Sequence, residues 1–229
     1  MPKPIRIAVI DSGVHPDHPH IDAARLLPGF AIARDGALIE GEGASLDRLG
    51  HGTAVTAAIQ DHAPDALCLP IRVFHESLRA SARALVSAID RAVAAGVDII
   101  NLSLGTVNPA HEAAFALVAE RALAAGVLIV AARSVEDMPC YPGALPDVLG
   151  VGLDWDCPRD RFQVRDGIRY ASGHPRPIPG VSQQRNLYGV SFAVANATGI
   201  IARERAAGQA MPKPATRSTI QKQPIAPTA

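Results

Sequence analysis

Three polar residues in this 229-residue chain are of the types that assemble a serine nucleophile. Asp11 follows an apolar run and opens Asp11-Ser12-Gly13. His51 opens the stretch HGTAVTAAI, and Ser191 lies in GVSFAVANATG. A serine hydroxyl attacks carbonyls only when a base takes its proton, and an imidazole base works best when a carboxylate fixes its tautomer. Ser191 as nucleophile, His51 as base and Asp11 as the orienting carboxylate make a set for acyl transfer. Each has a plainer reading when taken singly. An acid at a strand end caps a turn or meets a ribose. A His before Gly-Thr, or a Ser before an apolar helix, is a helix cap. Placement joins the three, because strand carboxyl ends and helix N-termini gather at one edge of a parallel sheet.

The elements that would position them are legible as alternating patterns. Apolar, β-branched runs predict strands over residues 5–10, 68–74, 97–104, 127–132 and 148–153, with Pro70 weakening the second. Between them, Ala82, Leu85, Ala88, Ile89, Ala92 and Val93 follow the helical period over residues 81–95, and Gly96 stops the helix. Residues 110–125 repeat the plan, ending at Gly126, and residues 191–205 form a last helix. Alternating helices and apolar strands imply an α/β fold with a mainly parallel sheet covered on both faces. Residues 154–186 are rich in Arg, Asp, Pro and Gly and read as loops with a hairpin. The expected organisation is one domain over residues 1–207 and a disordered, Gln/Pro/Lys/Thr-rich tail over 208–229.

Composition narrows the function classes. The chain has 22 basic and 22 acidic residues, so a general nucleic-acid binder with a cationic face is not expected. Aromatics are 4%, too few for single-strand stacking platforms. No apolar run approaches the roughly 20 residues of a membrane span. Cys68, Cys140 and Cys157 are an odd set at irregular spacing, neither a disulfide framework nor a zinc site. The first residues lack a signal core, so a cytoplasmic location is expected. The cluster His15, His18 and His20 reads as a solvated turn rather than a metal site, and no cofactor is implied. No glycine-rich phosphate loop follows a strand, which argues against a nucleotide-binding domain.

Here the motifs resemble those of the subtilisin-like serine peptidases, the subtilases. VIDSGVHPDHPHI is similar to that family's Asp block, HGTAVTAAI to its His block and GVSFAVANATG to its Ser block, in the family's order. GVDIINLSLGT resembles the strand lining the substrate cleft. VLIVAARS and CYPGALPDVLGVG resemble the segments flanking the oxyanion residue. The resemblance implies a three-layer fold and an Asp11–His51–Ser191 triad. It implies that Ser103, Leu104 and Gly105 pair with an extended peptide substrate. It also implies a selective endopeptidase that trims leader or precursor peptides without nucleic-acid or membrane partners. A degenerate relative that holds a peptide without cutting it would keep the same strand.

Several positions depart from the family pattern. Ser134 stands where an oxyanion asparagine is usual, and Val190 where a threonine is usual. Losing such a donor costs roughly 2.7–4 kcal/mol, a figure that comes from a subtilisin itself. Asn186, five residues before Ser191, is a second candidate for that amide. Arg133 replaces a glycine bordering the main specificity pocket, where it would narrow the pocket or favour a small or acidic side chain. His20 stands where a calcium-binding aspartate is common in the family. Arg159, Arg161 and Arg165 either dock a precursor or form a loop face.

Overall fold

The computed structural model describes residues 3–212 and 214. Each expected strand forms, shifted by a residue or two at its ends. They are β1 (Arg6–Asp11), β4 (Leu67–Arg72), β5 (Ile99–Leu102), β6 (Leu128–Ala132) and β9 (Leu149–Leu153). Two short strands that the sequence reading missed, β2 (Phe30–Ile32) and β3 (Leu38–Ile39), extend one edge. The hairpin expected within 154–186 is β10 (Gln163–Arg165) with β11 (Ile168–Ala171), and it extends the other edge. The strand order is β10-β11-β9-β6-β5-β1-β4-β2-β3. Every pair from β2 to β11 is parallel, and only the outermost strands run antiparallel. A separate two-stranded piece, β7 (Ser134–Val135) with β8 (Met138–Pro139), projects after β6.

Four α-helices cover the sheet: α1 (His51–His62), α2 (Ala82–Ala94), α3 (Glu112–Ala124) and α4 (Val190–Ala206). The central strands are buried on both faces, which is why they read as continuous apolar runs rather than alternating ones. Alternate residues feed two cores. Ala8, Ile10, Ile100 and Leu102 pack with Leu85, Ile89, Phe115 and Val118 of α2 and α3. Ile7, Val9, Ile99 and Val130 pack with Val55 and Ile59 of α1 and with Phe192, Val194 and Ile201 of α4. The result is the expected three-layer α/β arrangement.

Helix ends follow the sequence signals. Ser81 caps α2 by accepting from the Ala84 N–H at 3.0 Å, and Gly96 and Gly126 take positive φ after α2 and α3. The expected tail falls mostly outside the described residues. Its first residues are nevertheless engaged: Gln209 N–H donates to the Glu204 carbonyl, and Met211 packs on the α1/α4 core. All three cysteines are free and buried, and burial pushes the Cys68 thiol up to about 12. No helix among the described residues is long and apolar enough to cross a membrane.

Candidate active site

Asp11 ends β1 and is 0% exposed. Its Oδ1 accepts from the Ser12 N–H at 2.7 Å and meets His51 Nδ1 at 2.7 Å. Its other oxygen, Oδ2, is buried with no partner among the described residues. His51 is the first residue of α1 and packs its ring on Phe192 of α4, centroids 5.8 Å apart. Two glycines make this approach possible. A Cβ on Gly52 would lie 2.2 Å from the Gly13 carbonyl oxygen, and one on Gly13, at φ 97°, would lie 2.2 Å from the Ser45 oxygen. The Asp-Ser-Gly turn and the His-Gly-Thr helix start are thus pressed together backbone to backbone.

The N-terminus of α1 would expose unpaired N–H groups, and Gly50 there has no side chain to cap them. Neighbours supply the acceptors instead. Ser12 Oγ accepts from the Gly52 N–H at 2.8 Å. Asp47 accepts from the N–H groups of Leu49, Gly50 and Thr53, and from Thr53 Oγ1 at 2.6 Å. Burial opposes ionisation of Asp47, but the hydrogen bonds from Thr53, Leu49 and Ser12 outweigh it and hold its pKa below the ordinary value. Sequence reading missed Asp47; the visible signal was an acid four residues before the histidine. Asp47 also acts on His51. Burial lowers the imidazole pKa, yet the hydrogen bond and charge of Asp11, with the charge of Asp47 behind them, raise it overall.

Ser191 is not a helix cap. It is the second residue of α4, after Gly189 in the cap position. Its Oγ donates to the Ser103 carbonyl at 3.0 Å, and Ser103 Oγ donates to the Ser191 carbonyl at 3.2 Å. Behind this pair lies a buried relay. Asn101 Nδ2 donates to Ser103 Oγ at 2.9 Å, and Thr198 Oγ1 donates to Asn101 Oδ1 at 3.0 Å. Asn101 and Thr198 are both 0% exposed, so the relay clamps α4 to β5 where bulk water does not compete. Neither residue stood out in the sequence, where each reads as an ordinary polar interruption of an apolar run.

Beyond β5 the chain runs Ser103-Leu104-Gly105-Thr106. Thr106 pairs with Tyr141 through N–H···O bonds of 2.9 and 2.8 Å. The peptide groups of Leu104 and Gly105 bond to no other backbone among the described residues. They form a free strand edge that continues from Ser103, the hydrogen-bond partner of Ser191. The Ser191 N–H, in the first turn of α4, likewise has no partner among the described residues.

The remaining candidates are distributed differently. Ser134 opens β7 and makes no side-chain hydrogen bond among the described residues. With Arg133 it lines a cavity of about 690 Å³ that also holds Glu112, Asp137, Tyr141 and Asp147. Asn186 is drawn elsewhere. Its Nδ2 donates to the Arg176 carbonyl at 3.3 Å, its Oδ1 accepts from the Leu187 N–H, and it lines a separate cavity with His15, His18 and His20. The arginines of the long loop are paired: Arg159 with Asp61, Arg161 with Asp160 and Arg165 with Asp154. Of these pairs, Arg159–Asp61 ties the loop to α1, while Arg161 pairs with its chain neighbour. Among the described residues no group of three or more His, Cys, Asp or Glu could hold a metal ion.

The model of the subtilase family (Peptidase S8) matches residues 3–152, about two thirds of the chain. Subtilisin DY of Bacillus licheniformis is 28% identical over 163 residues, covering 65% of this chain and 56% of that protein. The nisin leader peptidase NisP from Lactococcus lactis superposes with a TM-score of 0.71 at 21% identity, over 91% of this chain and 79% of that one. The prenylagaramide maturation protease PagA superposes with a TM-score of 0.64 at 25% identity, over 90% and 78%. The chain spans about half the length of the first curated relatives it matches.

Proposed function

The chain belongs to the subtilase family, and from that premise we propose that it is a selective serine endopeptidase that trims a leader or precursor peptide. The observation that carries the reading is the joining of Asp11, His51 and Phe192, whose chain neighbour Ser191 bonds to Ser103 at the start of the free edge at Leu104–Gly105. An extended peptide adds to that edge as a strand, taking affinity from main-chain bonds and selectivity from alternate side chains. The Ser191 hydroxyl turns from the Ser103 carbonyl toward His51, which removes its proton as Oγ attacks the scissile carbonyl carbon. Asp11 holds the imidazole tautomer and stabilises the imidazolium. The Ser191 N–H and the Ser134 hydroxyl are the donors for the oxyanion. The tetrahedral adduct collapses as His51 returns its proton to the leaving amine. Water, deprotonated by the same His51, then releases the acyl group and regenerates Ser191.

The substrate class rests on two likenesses, to a nisin leader peptidase and to a prenylagaramide maturation protease. Within that class, the substrate we name is the precursor of the quinohemoprotein amine dehydrogenase small subunit. Arg133 is expected to add little preference for acidic residues, because Glu112, Asp137 and Asp147 share its cavity. A reducing, cytoplasmic compartment fits the three unpaired cysteines.

Intact mass after exposure to a fluorophosphonate tests the mechanism. One adduct on the wild type and none on Ser191→Ala is the expected result. A folded wild type that takes no adduct, yet binds extended peptides, would favour a peptide-holding module instead. Intact mass of the purified small-subunit precursor, incubated with wild type or Ser191→Ala, tests the named substrate. A leader released only by the wild type supports it, and an uncut precursor removes it.

A further inference from the structure

The free edge at Leu104–Gly105 forms one wall of a cavity of about 870 Å³. Its floor is apolar, built from Phe74, Leu85, Leu104 and Phe115. Its charged lining is of one sign: Arg34, Arg79 and Arg83, with His111 and no carboxylate. None of the three arginines forms an ion pair among the described residues. In a chain of zero formal charge this is a local concentration, not a general property. The cavity beside Arg133 has the opposite balance, with three carboxylates. Two carboxylates that line a neighbouring cavity with Arg83 are already engaged. Asp35 accepts from the Ala37 N–H at 3.0 Å, and Asp90 binds Arg121 at 2.9 Å.

Two of the arginines are held in place by the fold. The turn carrying Arg34 is fastened to α2 twice. Ser81 Oγ donates to the Arg34 carbonyl, and Ser87 Oγ donates to the Gly36 carbonyl at 2.8 Å. Across this joint the stem of Arg83 lies over Gly36, where a Cβ would sit 3.3 Å from Arg83 Cγ. Arg34 and Arg83 therefore face the cavity from two segments fixed to each other. Guanidinium groups so placed are suited to grip a planar carboxylate.

We propose that this cavity selects an acidic side chain, Asp or Glu, of the peptide lying along Leu104–Gly105, with Arg34, Arg79 and Arg83 as its specificity determinants. The proposal rests on the peptide-binding reading above and adds the chemical class of the bound sequence. Alternate side chains of an added strand point to one face. One of them enters the cavity while the main chain pairs with the edge. The apolar floor packs the methylene stem of a glutamate, and the arginines take its carboxylate. Low dielectric at the floor and exclusion of water by the bound peptide strengthen the pairing beyond that of an exposed ion pair.

The test is binding to the full-length Ser191→Ala chain of a positional set of synthetic octapeptides, each carrying Glu, Gln or Lys at one scanned position, read by fluorescence anisotropy. The expected result is one position at which Glu binds about tenfold tighter than Gln, with Lys weaker still. The preference should shrink as salt rises and vanish in Arg79→Gln/Arg83→Gln. In Arg79→Glu/Arg83→Glu it should reverse toward Lys. These side chains are exposed, so the variants are expected to fold, and circular dichroism checks that they do. Equal affinity for Glu and Gln at every position, no binding of any peptide, or a Glu preference that survives charge reversal would each overturn the proposal. Fluorophosphonate labelling of the wild type separates the two readings. Labelling without an acidic preference removes only the specificity proposal. An acidic preference without labelling removes only the peptidase.

Discussion

The hydroxyl of Ser191 is given to the Ser103 carbonyl at 3.0 Å, and the hydroxyl of Ser103 is given back to the Ser191 carbonyl at 3.2 Å. This reciprocal pair joins the start of α4 to the end of β5, and Asn101 and Thr198 brace it from below. Thr198→Val keeps the shape but strips Asn101 Oδ1 of its donor. The expected loss is about 1–3 kcal/mol of stability, the cost of a buried unsatisfied acceptor. It would be read as a lower denaturant midpoint at unchanged m-value. Thr198→Ser should restore most of it. Coupling with Ser103→Ala in a double-mutant cycle should be non-zero, because the two hydroxyls share Asn101. Strict additivity would break the relay.

Asp47 links stability to the pH profile. In the proposed mechanism neutral His51 is the base, and its raised pKa puts the expected acid limb of kcat/KM above the ordinary histidine value. Part of that rise is the charge of Asp47. Asp47→Asn removes the negative charge, so the imidazolium loses support and its pKa falls. The limb should therefore move toward lower pH. The same change weakens the cap on α1 and should cost about 0.5–2 kcal/mol. Asp47 itself contributes stability above its unfolded pKa that is lost as pH falls through its lowered folded value. A limb that stays in place would show that Asp47 acts on the helix alone.

The fold was legible because its central strands and amphipathic helices obey simple periods. Val9 and Ile10 point to opposite cores, so both faces of β1 had to be apolar. One edge was not legible: Phe30–Ile32 and Leu38–Ile39 are short and carry too little apolar pattern to stand out, whereas the hairpin at the other edge was expected only as lying somewhere within 154–186. At the site, Asp11, His51 and Ser191 were visible because each lies within two residues of a glycine, at a strand end or a helix start. Asn101, Thr198 and Asp47 were hidden, since their roles depend on partners far away in sequence or on a helix end whose geometry the sequence does not display. Asn186 read as a spare amide, and only the folded loop shows its nitrogen turned to Arg176.

Gly105 marks how tightly the free edge is packed. A Cβ there would lie 2.5 Å from the Tyr141 carbonyl oxygen and 2.6 Å from Cys140 Sγ. Backbone stands in the way, so Gly105→Ala must displace either the edge or the Cys140–Tyr141 segment. The expected result is a loss of about 1–3 kcal/mol in stability. KM should rise more than kcat falls, because strand pairing is disturbed while Ser191, His51 and Asp11 are not. Cys140→Ala in the same chain relieves only the sulfur contact and should restore little. Full rescue would place the clash at the thiol.

In the proposed mechanism Ser134 helps to hold the oxyanion. Its hydroxyl is shorter than an amide and has no other partner among the described residues. It therefore supplies a weaker second donor beside the Ser191 N–H. Ser134→Ala should lower kcat with KM nearly unchanged, because the interaction exists only in the transition state. The expected fall is about tenfold, less than the roughly 100-fold or more that follows loss of a full amide donor in a subtilisin. Ser134→Asn should raise kcat above wild type by supplying the longer donor, and Asn186→Ala should leave kcat unchanged. A kcat indifferent to Ser134→Ala and lowered by Asn186→Ala would move the role to Asn186, and would require its amide to leave the Arg176 carbonyl when substrate binds.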